Sequence, residues 1–164
     1  MKRSIFVRHA KSSWDNPSLR DIERPLNKRG LSDAPLMASR MKSYALPNTI
    51  IVSSPANRAY STARYFAKEI QISFDDVLQI EDLYMASRWE VVKVVENLPD
   101  EVDCAFIFGH NPCQTSLINF FGADSVHNVP TCGAFVVDSD CEHWSDFIDT
   151  KPKIKAYYYP KMFK

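Results

Sequence analysis

The sequence predicts an α/β fold: a three-layer α/β/α sandwich whose central sheet is mainly parallel, with helices on both faces. Three observations predict it. Short apolar runs at 4–7, 49–52 and 104–108 suit strands buried on both faces, the β-branched run at 49–52 above all. Each leads, across a polar stretch, into apolar residues at helical spacing. The alternation persists from Ser4 to Phe121, which is the pattern of a sheet covered by helices rather than of a bundle or an all-β sandwich.

The first run, Ser4-Ile5-Phe6-Val7, ends directly in Arg8 and His9. Ligands of open α/β sheets sit beyond the carboxyl ends of the strands, so this cationic pair faces the usual crevice. The next stretch, Lys11 to Gly30, is polar and carries two prolines, and it reads as a long ordered loop. Loops of that length are uncommon unless they are functional or disordered. A helix is expected to start near Ser32 and Asp33, run through Leu36, Met37, Met41 and Tyr44, and end before Pro47.

The second run, Thr49-Ile50-Ile51-Val52, delivers Ser53-Ser54-Pro55 at its carboxyl end. Ser54 as N-cap and Pro55 at the first helical position form a start signal, and Ala59, Ala63, Phe66, Ala67 and Ile70 continue the helix. Arg58 then falls in the first turn, where its charge opposes the helix dipole. Two readings are open: a solvated surface arginine, or a guanidinium that shares a bound anion with the free N–H groups of the turn. Arg64 reads as surface.

A short edge strand is expected within 75–80, followed by Glu81-Asp82-Leu83-Tyr84. Trp89, Val92, Val95 and Leu98 repeat every three residues, so 89–98 reads as an amphipathic helix capped by Ser87 and closed by Pro99. The third run, Cys104 to Phe108, ends in Gly109-His110-Asn111-Pro112, and Asn111 and Pro112 open a helix through Leu117, Ile118 and Phe121. Ala134–Val137 and Ile154–Tyr159 read as two more strands, antiparallel neighbours or edges. His127 and His143 fall in loops and receive no role.

Composition narrows the function classes. At 164 residues the chain has the length of one domain, spanning 1–164. With 20 basic and 20 acidic residues there is no net field to attract nucleic acid or an anionic membrane, so any positive patch is local. The amino terminus lacks the apolar length of a signal segment and no run reaches membrane-spanning length, which makes the cytoplasm the expected compartment. The four cysteines, Cys104, Cys113, Cys132 and Cys141, form no C-x-x-C pair, so free thiols are expected. His110 and Cys113 give half of a metal-ligand spacing with no second pair, and no metal is expected.

Three strand ends thus carry Arg8 and His9, Ser53 and Ser54 with Arg58 beyond them, and His110. Arg8-His9 after an N-terminal strand, Ser-Ser-Pro-x-x-Arg at 53–58 and Gly-His-Asn-Pro at 109–112 resemble the histidine phosphatase superfamily, the phosphoglycerate mutase-like fold. Arg-His-Ala in place of Arg-His-Gly, the stretch Arg24 to Gly30, and Leu83-Tyr84-Met85-Ala86-Ser87 are similar to the SixA-type phosphohistidine phosphatases. The likeness runs from Ser4 to about Tyr159.

That resemblance implies a phosphatase that forms a covalent phosphohistidine on the enzyme and uses no metal and no organic cofactor. It implies that His9 is the nucleophile, with Arg8, Arg58 and His110 around the phosphate. The chemistry is consistent: a neutral imidazole attacks phosphorus, cationic neighbours keep it unprotonated, and guanidiniums hold the equatorial oxygens as charge shifts. Glu81, with Tyr84 three residues on, matches the family's proton donor, and Asp82 beside it is the alternative. Asp15 stands where many relatives have asparagine; it is expected to point away from phosphate, leaving Ser12 or Ser13 to make that contact. With little length for a lid, the expected substrate is phosphohistidine on a protein. A small phosphate ester is the second reading, and a phosphate-binding module without turnover is a third. No nucleic acid or membrane partner is expected, and a monomer is compatible with the sequence.

Overall fold

The computed structural model describes residues 1–164. Its elements are β1 (Lys2–Arg8), α1 (Lys28–Met41), β2 (Thr49–Ser53), α2 (Asn57–Glu69), β3 (Val77–Gln79), α3 (Arg88–Glu96), β4 (Cys104–Gly109), α4 (Cys113–Phe121), β5 (Ala134–Ser139) and β6 (Lys153–Tyr158), with short 3-10 turns between them. The six strands form one sheet in the order β3-β2-β4-β1-β5-β6. β3, β2, β4 and β1 run parallel to one another, while β5 is antiparallel to β1 and β6 antiparallel to β5. No helix is long and apolar enough to cross a membrane.

The period of two along each strand builds the two cores. Ile5 and Val7 face the side covered by α1 and α2, together with Ile51, Phe106 and Phe108. Phe6 faces the other side, with Val52, Ile107 and Phe135, under α3 and α4. Both faces of the central strands are therefore dry, which is why these runs are continuously apolar. Phe6 stacks between Phe135 at 5.1 Å and Phe121 at 5.8 Å, joining sheet to α4.

Several element starts differ from the sequence expectation, each for a local reason. β1 begins at Lys2, because its ammonium group reaches the carbonyls of Asp100 and Val102 and both it and Arg3 are buried. α1 begins at Lys28, four residues before Ser32, with Asn27 as N-cap accepting from the Gly30 N–H at 2.9 Å. Gly30 is a helical residue rather than a loop former: a Cβ there would lie 2.2 Å from the Lys11 carbonyl oxygen, so its bareness lets α1 pack on the segment after His9. α2 begins at Asn57 after an uncapped Ala56, and α4 at Cys113, where the Asn111 side chain accepts from the Thr115 N–H at 3.2 Å. The 11–29 loop is tied across itself by a bridge from Ser12 to Leu26 and by the 3-10 turn Asp21–Glu23.

Candidate active site

The strand order makes β2, β4 and β1 consecutive, and register brings their carboxyl ends level. Arg8 pairs with Gly109 and Ser53 with Phe108. Beyond the ladder, the His9 N–H donates to the Gly109 carbonyl at 3.0 Å and the Ser54 N–H to the Phe108 carbonyl at 3.0 Å. His9, His110 and Ser54 therefore leave the sheet side by side.

The His9 and His110 rings lie 5.3 Å apart between centroids and are 8% and 7% exposed. His9 Nδ1 is 2.7 Å from the Ala10 carbonyl oxygen, which only accepts, so Nδ1 carries the proton and Nε2 keeps its lone pair. Its backbone is pinned as well: the His9 carbonyl accepts from the Cys132 N–H at 3.0 Å, and the Ala10 N–H donates to Thr62 Oγ1 at 3.0 Å. Thr62 in turn donates to the Arg58 carbonyl at 2.7 Å, which ties α2 to the segment that carries His9.

Arg58, in the first turn of α2, is buried. Its Nη1 donates to the Asp21 carbonyl at 2.7 Å, its Nη2 to Asp21 Oδ2 at 2.9 Å, and the same Nη2 faces His110 Nδ1 at 3.4 Å. A guanidinium only donates, so Nδ1 of His110 is the acceptor and its Nε2–H donates to Ser54 Oγ at 2.7 Å. Tyr84 stands edge-on to His110 at 5.6 Å and gives its hydroxyl proton to Asp21 Oδ2 at 2.6 Å. Arg8 donates through Nη1 to the Val129 carbonyl at 2.8 Å, while its Nε is buried without a partner.

Burial is the largest cause of the histidine shifts. It lowers the His9 pKa to about 3, with His110, Arg58 and Arg8 adding to the effect, and lowers His110 to about 4, helped by Arg58. Both rings are neutral at physiological pH. The cationic neighbours expected to keep His9 unprotonated do contribute, but behind desolvation. Arg8 is lowered by burial and by Arg29. Asp21 drops to about 2, first through the Tyr84 hydroxyl and then through Arg58 and Arg24, so it is a carboxylate throughout the useful pH range.

The structure thus brings Arg8, His9, Arg58 and His110 together. Ser12 is buried nearby, its hydroxyl taken by the Arg24 guanidinium. Glu81 and Asp82 are exposed in a 3-10 turn and make no hydrogen bond or ion pair through their side chains, and Asp82 faces the groove beside α3. Asp15 is exposed and unpaired. His127 is not in the site, and His143 pairs with Asp100 at 2.7 Å. No three His, Cys, Asp or Glu side chains converge as a metal site.

Sequence reasoning misses Asp21 and the second role of Ser54. Asp21 lies within Arg20-Asp21-Ile22-Glu23-Arg24, part of the stretch that the sequence marks only as a long polar loop. The available signal is the arginine itself: a guanidinium buried at a helix start needs a counter-charge, and the long loop is the place to find one. Ser54 reads as a cap, whereas its hydroxyl meets both the Ala56 N–H at 3.2 Å and His110.

A family model described as the histidine phosphatase superfamily (branch 1) matches residues 4–103. Phosphoserine phosphatase 1 of Hydrogenobacter thermophilus is 34% identical over 154 residues, covering 90% of this chain and 69% of that protein. Among solved structures, SixA of Agrobacterium tumefaciens, assigned as a phosphohistidine phosphatase, is 26% identical with a TM-score of 0.78, over 97% of this chain and 98% of that one. The protein histidine phosphatase SixA complexed with tungstate shares the fold at 18% identity, with a TM-score of 0.81 over 99% of both chains. The chain belongs to branch 1 of the histidine phosphatase superfamily and is a phosphatase.

Proposed function

We propose that this phosphatase removes the phosphoryl group from phosphohistidine on a protein, with His9 as nucleophile. The observation that carries the reading is the Nδ1–H bond of His9 to the Ala10 carbonyl, which leaves the Nε2 lone pair free on a buried ring 5.3 Å from His110 and within the electrostatic reach of Arg8 and Arg58. In the first step Nε2 of His9 bonds to phosphorus and the bond from phosphorus to the leaving nitrogen breaks. In the second, water bonds to phosphorus, the bond to Nε2 breaks, and inorganic phosphate leaves. Neither step calls for a metal.

Arg8, with Nε lacking a protein partner, and Arg58 hold the non-bridging oxygens, where charge lies during transfer. His110 is assigned to the same group: a phosphate dianion beside it favours the protonated ring, whose Nδ1–H then donates to phosphate in place of the weak 3.4 Å contact that Nδ1 accepts from Arg58, while Nε2–H stays on Ser54. Ser12 supports the rim of this pocket through Arg24.

Leaving-group chemistry favours phosphohistidine. The carboxylate nearest the pocket, Asp21, is ionised and engaged by Arg58, Arg24 and Tyr84, so it has no proton to give. Phosphohistidine leaves as an imidazole and needs little acid, whereas an alkyl ester leaves as an alkoxide and needs much. Glu81, exposed and three residues from Tyr84, is the proposed donor for such esters. A second reading, a phosphomonoesterase for a small ester, is favoured by the identity to phosphoserine phosphatase 1. The four unpaired, buried thiols support a reducing compartment such as the cytoplasm, and residues 1–164 are taken as one catalytic domain.

The test is a phosphoenzyme trap. Rapid acid-free quenching of wild type with a labelled substrate is expected to leave base-stable, acid-labile label on His9, absent in His9→Ala, with turnover unaffected by a chelator. Phosphohistidine protein is then compared with phosphoserine at equal concentration. Turnover without label on His9 would overturn the mechanism, and a preference for phosphoserine would favour the second reading.

A further inference from the structure

The chain as a whole is neutral, with 20 cationic and 20 acidic side chains, yet one flank of the pocket is not. Two adjoining hollows of about 400 and 340 Å³ share Arg29 as a common wall. Lys11 and Lys28 line the first, Lys161 and Lys164 the second, and the carboxylates lining the two are Asp15 and Asp33. Asp33, its side chain 3% exposed, is already engaged by Lys164 at 2.6 Å and lies 3.8 Å from Arg29. Lys11, Lys28 and Lys161 take part in no ion pair.

This flank is built into the phosphate pocket. Arg29 Nη2 donates to Thr131 Oγ1 at 3.0 Å, and the next residue, Cys132, holds the His9 carbonyl at 3.0 Å. Arg8 donates to Val129 of the same turn at 2.8 Å. Arg29 is near enough to Arg8 to contribute to the lowering of its pKa. Lys11 is two residues beyond His9, and its carbonyl accepts from the Asn27 N–H at 3.0 Å, which sets the start of α1 beside it.

We propose that this cationic ledge docks an acidic stretch of the polypeptide that carries the phosphorylated side chain. The inference rests on the phosphatase reading and adds the chemistry of the partner. Extended chain advances about 3.3 Å per residue, and charges act across roughly 10 Å at 0.1 M salt, so the ledge reads the three or so residues beside the phosphorylated one. His9 lines neither hollow, so a ligand that engages both Lys28 and Lys161 must run along the ledge past the phosphate, as a peptide can. Trp14, 71% exposed, borders the first hollow and offers the peptide an apolar contact.

The experiment measures binding of labelled peptides that carry a non-hydrolysable phosphohistidine mimic flanked by Glu, Gln or Lys, to the wild-type chain and to Lys28→Glu and Arg29→Glu. Wild type is expected to bind the Glu-flanked peptide about tenfold more tightly than the Gln-flanked one at about 50 mM salt, and the advantage to shrink several-fold at about 500 mM. Each variant is expected to lose most of that ratio, and the double variant to prefer the Lys-flanked peptide. Ratios are taken within one protein, so a general loss of affinity cancels, and Lys28 is exposed enough that its variant keeps the fold. Equal affinity for all three peptides, or a wild-type ratio retained by both variants, overturns the ledge. So does competition by an oligonucleotide with no preference among the peptides. Wild-type hydrolysis of an aryl phosphate is measured alongside: if it proceeds while the peptides bind alike, the ledge fails and the phosphatase reading stands. If it is absent while the Glu-flanked peptide is preferred, the reaction fails and the docking surface stands.

Discussion

Asp21 and Arg58 are joined at two points, the carboxylate Oδ2 to Nη2 at 2.9 Å and the Asp21 carbonyl to Nη1 at 2.7 Å. Because Nη2 also faces His110, the position of Asp21 sets where the guanidinium stands relative to both imidazoles. Asp21 acts through Arg58 and is a positioning residue. Asp21→Asn is expected to lower kcat on an aryl phosphate by about 10–100-fold, the scale of a displaced catalytic group, with a smaller loss for Tyr84→Phe. Steady-state kinetics with a melting curve for each variant check this. A kcat within about twofold of wild type in Asp21→Asn would show that Arg58 holds its place without the carboxylate.

Acid should weaken the fold through the same two rings. His9 and His110 are held neutral, at about 3 and about 4, against about 6.5 in an unfolded chain. Between those values the unfolded chain binds protons that the native chain does not, so stability rises with pH across the window and is lost as pH falls from about 6.5. Each histidine contributes about 1–2 kcal/mol of the loss from about pH 7 to about pH 5, read by urea denaturation at both pH values. His9→Gln should flatten the dependence, and an identical slope in that variant would contradict the shift. In activity, kcat/KM corrected for substrate ionisation should show no enzyme acid limb above about pH 5.

The parts of this site that are legible in the sequence are those carried by strand ends and, through the start signal after β2, Arg58 in the first turn of α2. Arg8, His9 and His110 each follow an uninterrupted apolar run, and a strand buried on both faces announces its end by the first polar side chain. β5 and β6, expected from the sequence as antiparallel neighbours or edges, occupy the side of β1 opposite β4. Asp21, Arg24 and Tyr84 are not legible as a group, because what unites them is a loop closing over α2, and loop paths leave no periodic trace. The start of α1 lies earlier than the sequence suggests because glycine normally signals a break. At Gly30 its role is steric.

That steric role is testable. With only 2.2 Å between the position a methyl group would take and the Lys11 carbonyl oxygen, Gly30→Ala must push α1 away from backbone rather than from a flexible side chain. A destabilisation of about 1–3 kcal/mol is expected, the range of overpacking, together with a lower kcat because Lys11 follows closely on His9. Denaturant titration and kinetics on the same preparation check both. Wild-type stability in Gly30→Ala would mean that the α1 start moves freely.

Glu81 separates the two substrate readings. Its side chain is exposed and outside the network that Asp21 organises, so the proposed donor role can be tested without disturbing the contacts that hold Arg58. Proton donation contributes most where the leaving group is most basic, on the order of 100-fold or more for an alkoxide and little for an imidazole. Glu81→Gln is therefore expected to cut kcat/KM for phosphoserine by roughly 100-fold while changing that for phosphohistidine by less than about threefold. An equal loss on both substrates would place Glu81 in phosphate binding or in the hydrolysis of the phosphoenzyme, and no loss on either would pass the role of donor to solvent or to Asp82. Asp82→Asn, assayed on the same pair, tells the last two apart.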